Sequence, residues 1–288
     1  MATNVITTEN ATVAAQHART RVLIVPREHG AWGLLFVPLI SGAAVGVAAS
    51  GMNASVVLLA IVALALFWLR TPVESLLGTT PMKAQGREER RTVWSVVMAL
   101  SGVAVASLIA LMWGGRNLAL LPMGAIAALL FFVQTAVMRM GRKFRMTAQL
   151  IGAAGLTSTA AAAYYVAVGH FDQRALLLWV ANWIFAANQV HFVQLRIHAA
   201  RAENFGEKFF RGRMFFFGQT AVLAILAAAV FLRWLPLLPA LAFLPVLARG
   251  YYWFVARPQP LLVRTLGWSE MKQGMAFGVL LVVGMILS

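Results

Sequence analysis

Apolar residues come in long blocks along the chain, and polar residues gather in short connections between the blocks. A helix needs about 20 apolar residues to cross the hydrocarbon core of a bilayer. Windows of that length lie at 31–50, 54–71, 93–112, 117–138, 147–168, 174–195, 214–232, 235–255 and 268–287. The pattern predicts an all-α polytopic membrane protein with nine transmembrane helices.

Composition agrees with this prediction. The 288 residues are 61% hydrophobic and only 11% charged, and the mean hydropathy is +0.78, whereas a soluble domain has about 25% charged residues. A water-soluble globular protein is excluded. The absence of cysteine also excludes disulfides, zinc-thiolate sites and iron–sulfur clusters.

The net charge of +15 would indicate a nucleic-acid partner in a soluble protein, but the positions of the basic residues indicate something else. With a cytoplasmic N-terminus, 21 of the 24 Lys and Arg residues lie on the cytoplasmic side, and only Arg116, Arg174 and Arg233 lie outside. This asymmetry is the positive-inside pattern. We therefore expect a multi-pass protein of the bacterial inner membrane with no nucleic-acid partner.

Two segments have a distinct organisation. Residues 1–25 are polar and aperiodic, which predicts a mobile cytoplasmic tail, and residues 26–288 form one nine-helix membrane domain. The pair of windows from 214 to 255 is the weakest, because it needs a tight outer turn around Pro236 and because Arg249 must either snorkel to the interface or face the bundle.

The sixth window has the most polar residues, and we take them as candidate ligand-binding groups. Asn188, His191 and His198 fall on one helical stripe, and Asn182, Gln189 and Arg196 fall on its neighbour; Gln194 completes the set. Two interpretations stay open: the stripes line a ligand cavity facing the cytoplasm, or they form hydrogen bonds between helices.

Two further candidates lie at the ends of predicted spans. His29 lies at the start of the first span, where an ordinary interfacial collar is the alternative. Arg70 and Glu74 end the second span at a spacing that pairs them if the helix persists, and a surface ion pair is the alternative. Because the residue before a proline disfavours the helical conformation, Pro72 predicts that the helix breaks just before it.

Metal binding and proton transport find little support in the sequence. His29, His191 and His198 lack the spacing of metal ligands, so we predict no metal site. None of the nine windows has a carboxylate in its middle, which disfavours ion-coupled transport. Haem stays an alternative ligand of the histidines.

Three stretches resemble the intramembrane aromatic prenyltransferases, the UbiA superfamily, with the protohaem IX farnesyltransferases as the nearest branch. They are PREHGAWGLLFVPLISG at 26–42, GRKFRMTAQLIG at 141–152 and NQVHFVQL at 188–195. The resemblance implies a UbiA-like bundle of nine helices around a cytoplasm-facing cavity. HGAW at 29–32 and RTPVE at 70–74 also resemble the YwiC-like membrane proteins.

The chain departs from the UbiA pattern where those enzymes hold Mg²⁺ and a prenyl diphosphate with two Asp-rich motifs. Its one aspartate is Asp172, on the opposite side of the predicted bundle. Because Mg²⁺ sites need oxygen ligands, chiefly carboxylates, we do not expect a Mg²⁺ cofactor.

We therefore expect a protein that binds an amphipathic ligand of polyprenyl, quinone or haem type among membrane lipids. If the protein is a transferase, we expect Glu74 or His191 to be the general base. The anionic group of the ligand is then expected to bind to Arg70, Lys143 and Arg145. The alternatives are an accessory or assembly subunit of a respiratory membrane complex, which leaves a protein partner open, and an organic-anion exporter.

Overall fold

The structure, a computed structural model, describes residues 19–25, 29–78, 83–113, 118–200, 202, 204–257 and 261–288, and its regular structure there is helical. The helices are α1 His29–Ser50, α2 Ala54–Leu77, α3 Arg87–Trp113, α4 Leu120–Arg139, α5 Arg145–Val168, α6 Gln173–His198, α7 Phe205–Phe231, α8 Leu237–Leu241, α9 Leu244–Val255 and α10 Val263–Leu287.

Nine helical segments of the described chain are long and apolar enough to cross a membrane. Seven of them fall in α1 to α7, the eighth joins α8 and α9 over Leu237–Val255, and the ninth falls in α10. The prediction of an all-α multi-pass membrane protein with nine spans is therefore confirmed.

Several helices extend beyond the apolar windows that predicted them. For example, α3 begins at Arg87 rather than at 93, and α7 begins at Phe205 rather than at 214. Backbone hydrogen bonding continues into the interface, where long basic side chains keep their charges in water. The break predicted at Pro72 is wrong, because α2 continues through it to Leu77.

The described chain forms two compact units. Unit 1 comprises Met1–Glu28 and Val57–Gly114, and unit 2 comprises His29–Val56 and Gly115–Ser288.

In unit 1, residues 19–24 are helical and belong to a packed core. Leu23 is buried together with Ala84 and Val93, and Arg19 Nε lies 2.6 Å from Glu89 Oε1. Within the tail predicted for residues 1–25, burial of Leu23 thus holds the described residues 19–25 against the rest of unit 1. The rest of the predicted tail, residues 1–18, lies outside the described residues.

In unit 2, α5 is the central helix and packs against α1, α4 and α6. Ala160 and Ala163 of α5 are fully buried. A Cβ atom at Gly42 of α1 would overlap the Ala160 carbonyl, and one at Gly46 would overlap Ala167. Small residues spaced four apart let two helices approach closely in a membrane, and α1 and α5 are packed in this way.

Hydrogen bonds identify which helix ends of unit 2 lie together. Gln194 Nε2 donates to Gln149 Oε1 over 3.1 Å, which joins the end of α6 to the start of α5. Lys208 Nζ donates to Ala256 O over 2.6 Å, which joins the start of α7 to the end of α9. We call this the basic end of unit 2, because it has the cations Lys143, Arg145, Arg196, Lys208, Arg211, Arg213, Arg257 and Arg264.

Candidate functional site

A buried ion pair lies inside the membrane-spanning part of unit 2. Arg249 of α9 donates a hydrogen bond from Nη1 to Glu270 Oε1 of α10. Their side chains are only 12% and 11% exposed. Of the two positions that the sequence allowed for Arg249, the structure has the one that faces the bundle.

Aromatic rings lie under this ion pair. The Arg249 guanidinium carbon is 4.0 Å from the centroid of the Phe192 ring, and the Phe192 and Phe215 rings are 5.6 Å apart. A guanidinium over an aromatic face is stabilised by the ring quadrupole. The rings also keep water away, which strengthens the attraction between the two charges.

The polar stripe of α6 reaches the same pair. Gln189 Nε2 donates to the backbone oxygen of Glu270 over 3.1 Å, and Arg196 interacts electrostatically with both Glu270 and Arg249. Gln189 and Arg196 are seven residues apart, so they lie on one face of α6. The structure therefore brings these two candidates to the α9 and α10 ion pair.

Lys208 adds a third cation at the start of α7. Its side chain is 3% exposed, and its ammonium donates to Trp253 O and to Ala256 O. These carbonyls end α9, where a helix leaves its last acceptors open and favours a positive charge. The positive charge of Arg196 also acts electrostatically on Lys208. The site thus holds three cations, Arg196, Lys208 and Arg249, and one carboxylate, Glu270; we call it the charge cluster.

On α6, α7, α9 and α10, which contact one another, several buried polar atoms have no hydrogen-bond partner within the described part of the chain. They are Asn188 Oδ1, both amide atoms of Gln219, Nε and Nη2 of Arg249, Oε2 of Glu270 and Oε1 of Gln273. Gln219 is only 1% exposed. A buried polar atom without a partner costs free energy, and so many in one region indicate a place for a ligand or for water.

Two other candidates on α6, Asn182 and Gln194, form hydrogen bonds to neighbouring helices instead. Asn182 Nδ2 donates to Ser41 Oγ of α1 over 3.2 Å, although its Oδ1 has no described partner. Gln194 reaches α5, and His198 Nδ1 lies 2.7 Å from the Gln194 backbone oxygen. For Asn182 and Gln194 the structure shows contacts of the kind that hold helices together, whereas the contact of His198 lies within α6.

His191, the candidate general base, packs among aromatic residues. Its ring centroid is 5.1 Å from that of Phe215, edge to face, and the ring lies close to Gly218 of α7. Asn188 is buried one turn away. Both residues lie on the side of α6 that faces α7.

The remaining candidates are distributed over both units. In unit 1, Arg70 Nε lies 2.8 Å from Glu74 Oε1, and each side chain is 25% exposed. In unit 2, Lys143 and Arg145 are exposed at the basic end. His29 begins α1, but its side chain lies outside the described residues. Within the described ranges, no group of three His, Asp or Glu side chains could hold a metal ion.

Sequence analysis missed Glu270, the anionic member of the charge cluster. It lies near the start of the predicted window 268–287, and no local motif or spacing marks it as part of a site. One signal was available, because Arg249 in an apolar span needs a counter-charge. Glu270 is the one acidic residue between Arg249 and the last residue of the sequence.

Comparison with known proteins gives one match. Residues 25–165 match the family described as YwiC-like protein, which confirms the YwiC-like resemblance over α1 to α5. No curated protein and no solved structure matches the chain. The UbiA resemblance therefore stays a prediction based on the sequence motifs.

Proposed function

Starting from a chain that is YwiC-like over residues 25–165, we propose that this membrane protein binds an amphipathic, lipid-like ligand through an anionic headgroup. The headgroup binds at the charge cluster of unit 2, and the apolar part of the ligand lies against the membrane-spanning helices. The protein belongs to the bacterial inner membrane, with the basic end of unit 2 in the cytoplasm, as the positive-inside pattern favours.

The excess of positive charge in the charge cluster is the observation that supports the proposal. Arg196 and Arg249 interact with a single carboxylate, Glu270, and Lys208 interacts with Arg196. Charges buried in a membrane-spanning region are costly unless they are neutralised. An anionic headgroup supplies the missing negative charge, so its binding is favoured most strongly here.

The geometry of Arg249 suits such a headgroup. Glu270 uses Nη1 of the guanidinium, and the other edge, formed by Nε and Nη2, has no described partner. Two parallel N–H donors on one edge match two oxygens of a phosphate or carboxylate. Of the predicted ligand types, this favours polyprenyl phosphates and haem propionates over neutral quinones.

Titration of the purified protein in a neutral detergent with dodecyl phosphate tests the proposal. We expect saturable binding, and we expect Arg196→Gln to weaken it about tenfold or more, since a lost charged hydrogen bond costs about 1.5–3 kcal/mol. Arg174→Gln is the matched control, because Arg174 is exposed at the first turn of α6, away from the basic end. Equal binding by dodecyl trimethylammonium would overturn the proposal.

An organic-anion exporter is the second candidate. The buried pair of Arg249 and Glu270 favours it, because ionisable residues within membrane spans often mark the path of a substrate. Export of a soluble organic anion from proteoliposomes, abolished in Arg249→Gln, would support the exporter over a protein that only binds lipid.

A further inference from the structure

One exposed stripe of α3 in unit 1 changes from charged to apolar along the helix. It begins with Arg87 and Arg91, continues with Trp94 and Met98, and reaches Val105. These residues are three, four or seven positions apart, so they lie on one face of the helix. All five are exposed, Trp94 by 55% and Met98 by 67%. We call this face the α3 stripe.

The two arginines that begin the α3 stripe form no salt bridge within the described residues. They are four positions apart, a spacing at which like charges on a helix repel. The first turn of α3 also has two carboxylates. Glu89 accepts hydrogen bonds from Arg19 and from the backbone nitrogen of Gln85, and Glu88 lies about 100° around the helix from Arg87. The stripe therefore has a net positive charge at the end of a membrane span.

The corresponding end of α2, in the same unit, has a different arrangement. Arg70 Nε lies 2.8 Å from Glu74 Oε1, so a carboxylate of the protein neutralises this cation. An anion outside the protein is attracted less strongly to a neutralised pair than to two like charges. The two helix ends thus differ in charge while both adjoin an apolar, exposed helix face.

We propose that the α3 stripe binds an anionic phospholipid of the membrane, at a site separate from the charge cluster of unit 2. The headgroup phosphate accepts hydrogen bonds from Arg87 and Arg91, as guanidinium groups suit phosphate oxygens. Trp94 lies next along the stripe, and indole rings are favoured at the level of the headgroups. Met98 is about 16 Å along the helix axis from Arg87, where an acyl chain covers it.

Charge complementarity decides which lipid is bound. Basic residues next to a membrane span attract the anionic lipids of the cytoplasmic leaflet, and the positive-inside pattern favours that leaflet for this end of α3. A phosphatidylcholine headgroup carries its own cation beside its phosphate, so its net attraction to the two arginines is weaker. We therefore expect selection of phosphatidylglycerol over phosphatidylcholine.

A fluorescent label on a single cysteine measures lipid contact at one position, because the chain has no cysteine of its own. Met98→Cys places a bimane label on the α3 stripe. Leu66→Cys places it on α2, where the side chain is also exposed and lies eleven residues from the end of the helix, as Met98 does from the start of α3. Phosphatidylcholine nanodiscs that contain brominated phosphatidylglycerol or brominated phosphatidylcholine supply the quencher.

At Met98→Cys we expect half-maximal quenching at a mole fraction of phosphatidylglycerol about tenfold or more below that of phosphatidylcholine. The reason is that each arginine near the headgroup contributes roughly fivefold. At Leu66→Cys we expect both lipids to quench alike, because Glu74 neutralises Arg70 there.

Arg87→Gln together with Arg91→Gln tests the cations themselves. In the chain labelled at Met98→Cys, this double change should abolish the preference for phosphatidylglycerol. Arg211→Gln together with Arg213→Gln is the matched control on α7, because it removes the same charge from two exposed arginines and should keep the preference. The ratio of the two lipids is measured within one variant, so a loss of stability does not affect it.

Four outcomes would overturn the inference. They are equal quenching by both lipids at Met98→Cys, a preference of the same size at Leu66→Cys, a preference that persists without Arg87 and Arg91, and an equal loss in the control on α7, which would assign the effect to overall charge. If the double variant on α3 does not fold, the contrast between the two labelled positions decides. Each outcome leaves the proposed function in place, because the charge cluster belongs to unit 2 and is tested by Arg196→Gln.

Discussion

Two helix contacts within unit 2 are built in opposite ways. Between α1 and α5, glycine and alanine bring the backbones together, and a Cβ atom at Gly42 would already overlap α5. Between α6, α9 and α10, charges and amides meet, and several of their buried atoms have no described partner. The first contact gains free energy from close packing, whereas the second is expensive to maintain unless something binds there.

Under the proposed function, this difference separates residues that hold the fold from residues that bind the ligand. Replacing a buried ion pair with apolar residues is often neutral or stabilising, so packing alone does not account for Arg249 and Glu270.

Arg249→Gln should cause the greatest loss of stability. Glu270 would stay buried without its main counter-charge, which lowers the free energy of unfolding by about 3–5 kcal/mol. Unfolding by dodecyl sulfate in mixed micelles measures it. The double variant Arg249→Gln with Glu270→Gln should recover much of the loss, because no unpaired charge remains. A double variant as unstable as the single one would show that the charges do not form a unit.

Gly42→Ala should come next. The added methyl group meets the Ala160 backbone, which cannot move aside as a flexible side chain would, so we expect a loss of about 1–3 kcal/mol. Gly124→Ala on α4 is the control, because a Cβ atom there meets open space. If both variants unfold alike in the same assay, close approach does not hold α1 to α5.

Asn182→Ala should have a smaller effect. It removes the hydrogen bond to Ser41, and such bonds between membrane helices contribute about 0.6 kcal/mol on average. A cycle with Ser41→Ala isolates the coupling energy between the two side chains. A coupling near zero would assign Asn182 to the ligand-binding face rather than to the contact between α1 and α6.

Arg70→Gln should have the smallest effect on stability. Its pair with Glu74 is spaced four residues apart and partly exposed, and pairs of this kind contribute about 0.3–0.5 kcal/mol. Thermal unfolding measured side by side with Arg249→Gln provides the comparison between an ordinary ion pair and the charge cluster. A loss as large as that of Arg249→Gln would remove the distinction.

Sequence patterns predicted the features that lie within single segments. The nine spans, the basic connections and the shared face of Gln189 and Arg196 all follow from composition or helical spacing. The same patterns could not predict contacts between segments that lie far apart in the sequence. Glu270 lies 81 residues from Gln189, to which it is hydrogen bonded, and no spacing rule links residues that far apart. Packing also ordered residues 19–25, which look like a tail when considered alone.

The hydrogen bonds of Lys208 have a consequence for the helices beside the charge cluster. By satisfying the last carbonyls of α9, its ammonium holds the end of α9 to the first turn of α7. The polar link between α9 and α10 is the salt bridge of Arg249 and Glu270. A ligand of the proposed kind that competes with Glu270 for Arg249 would therefore weaken the contact of α9 with α10 rather than its contact with α7.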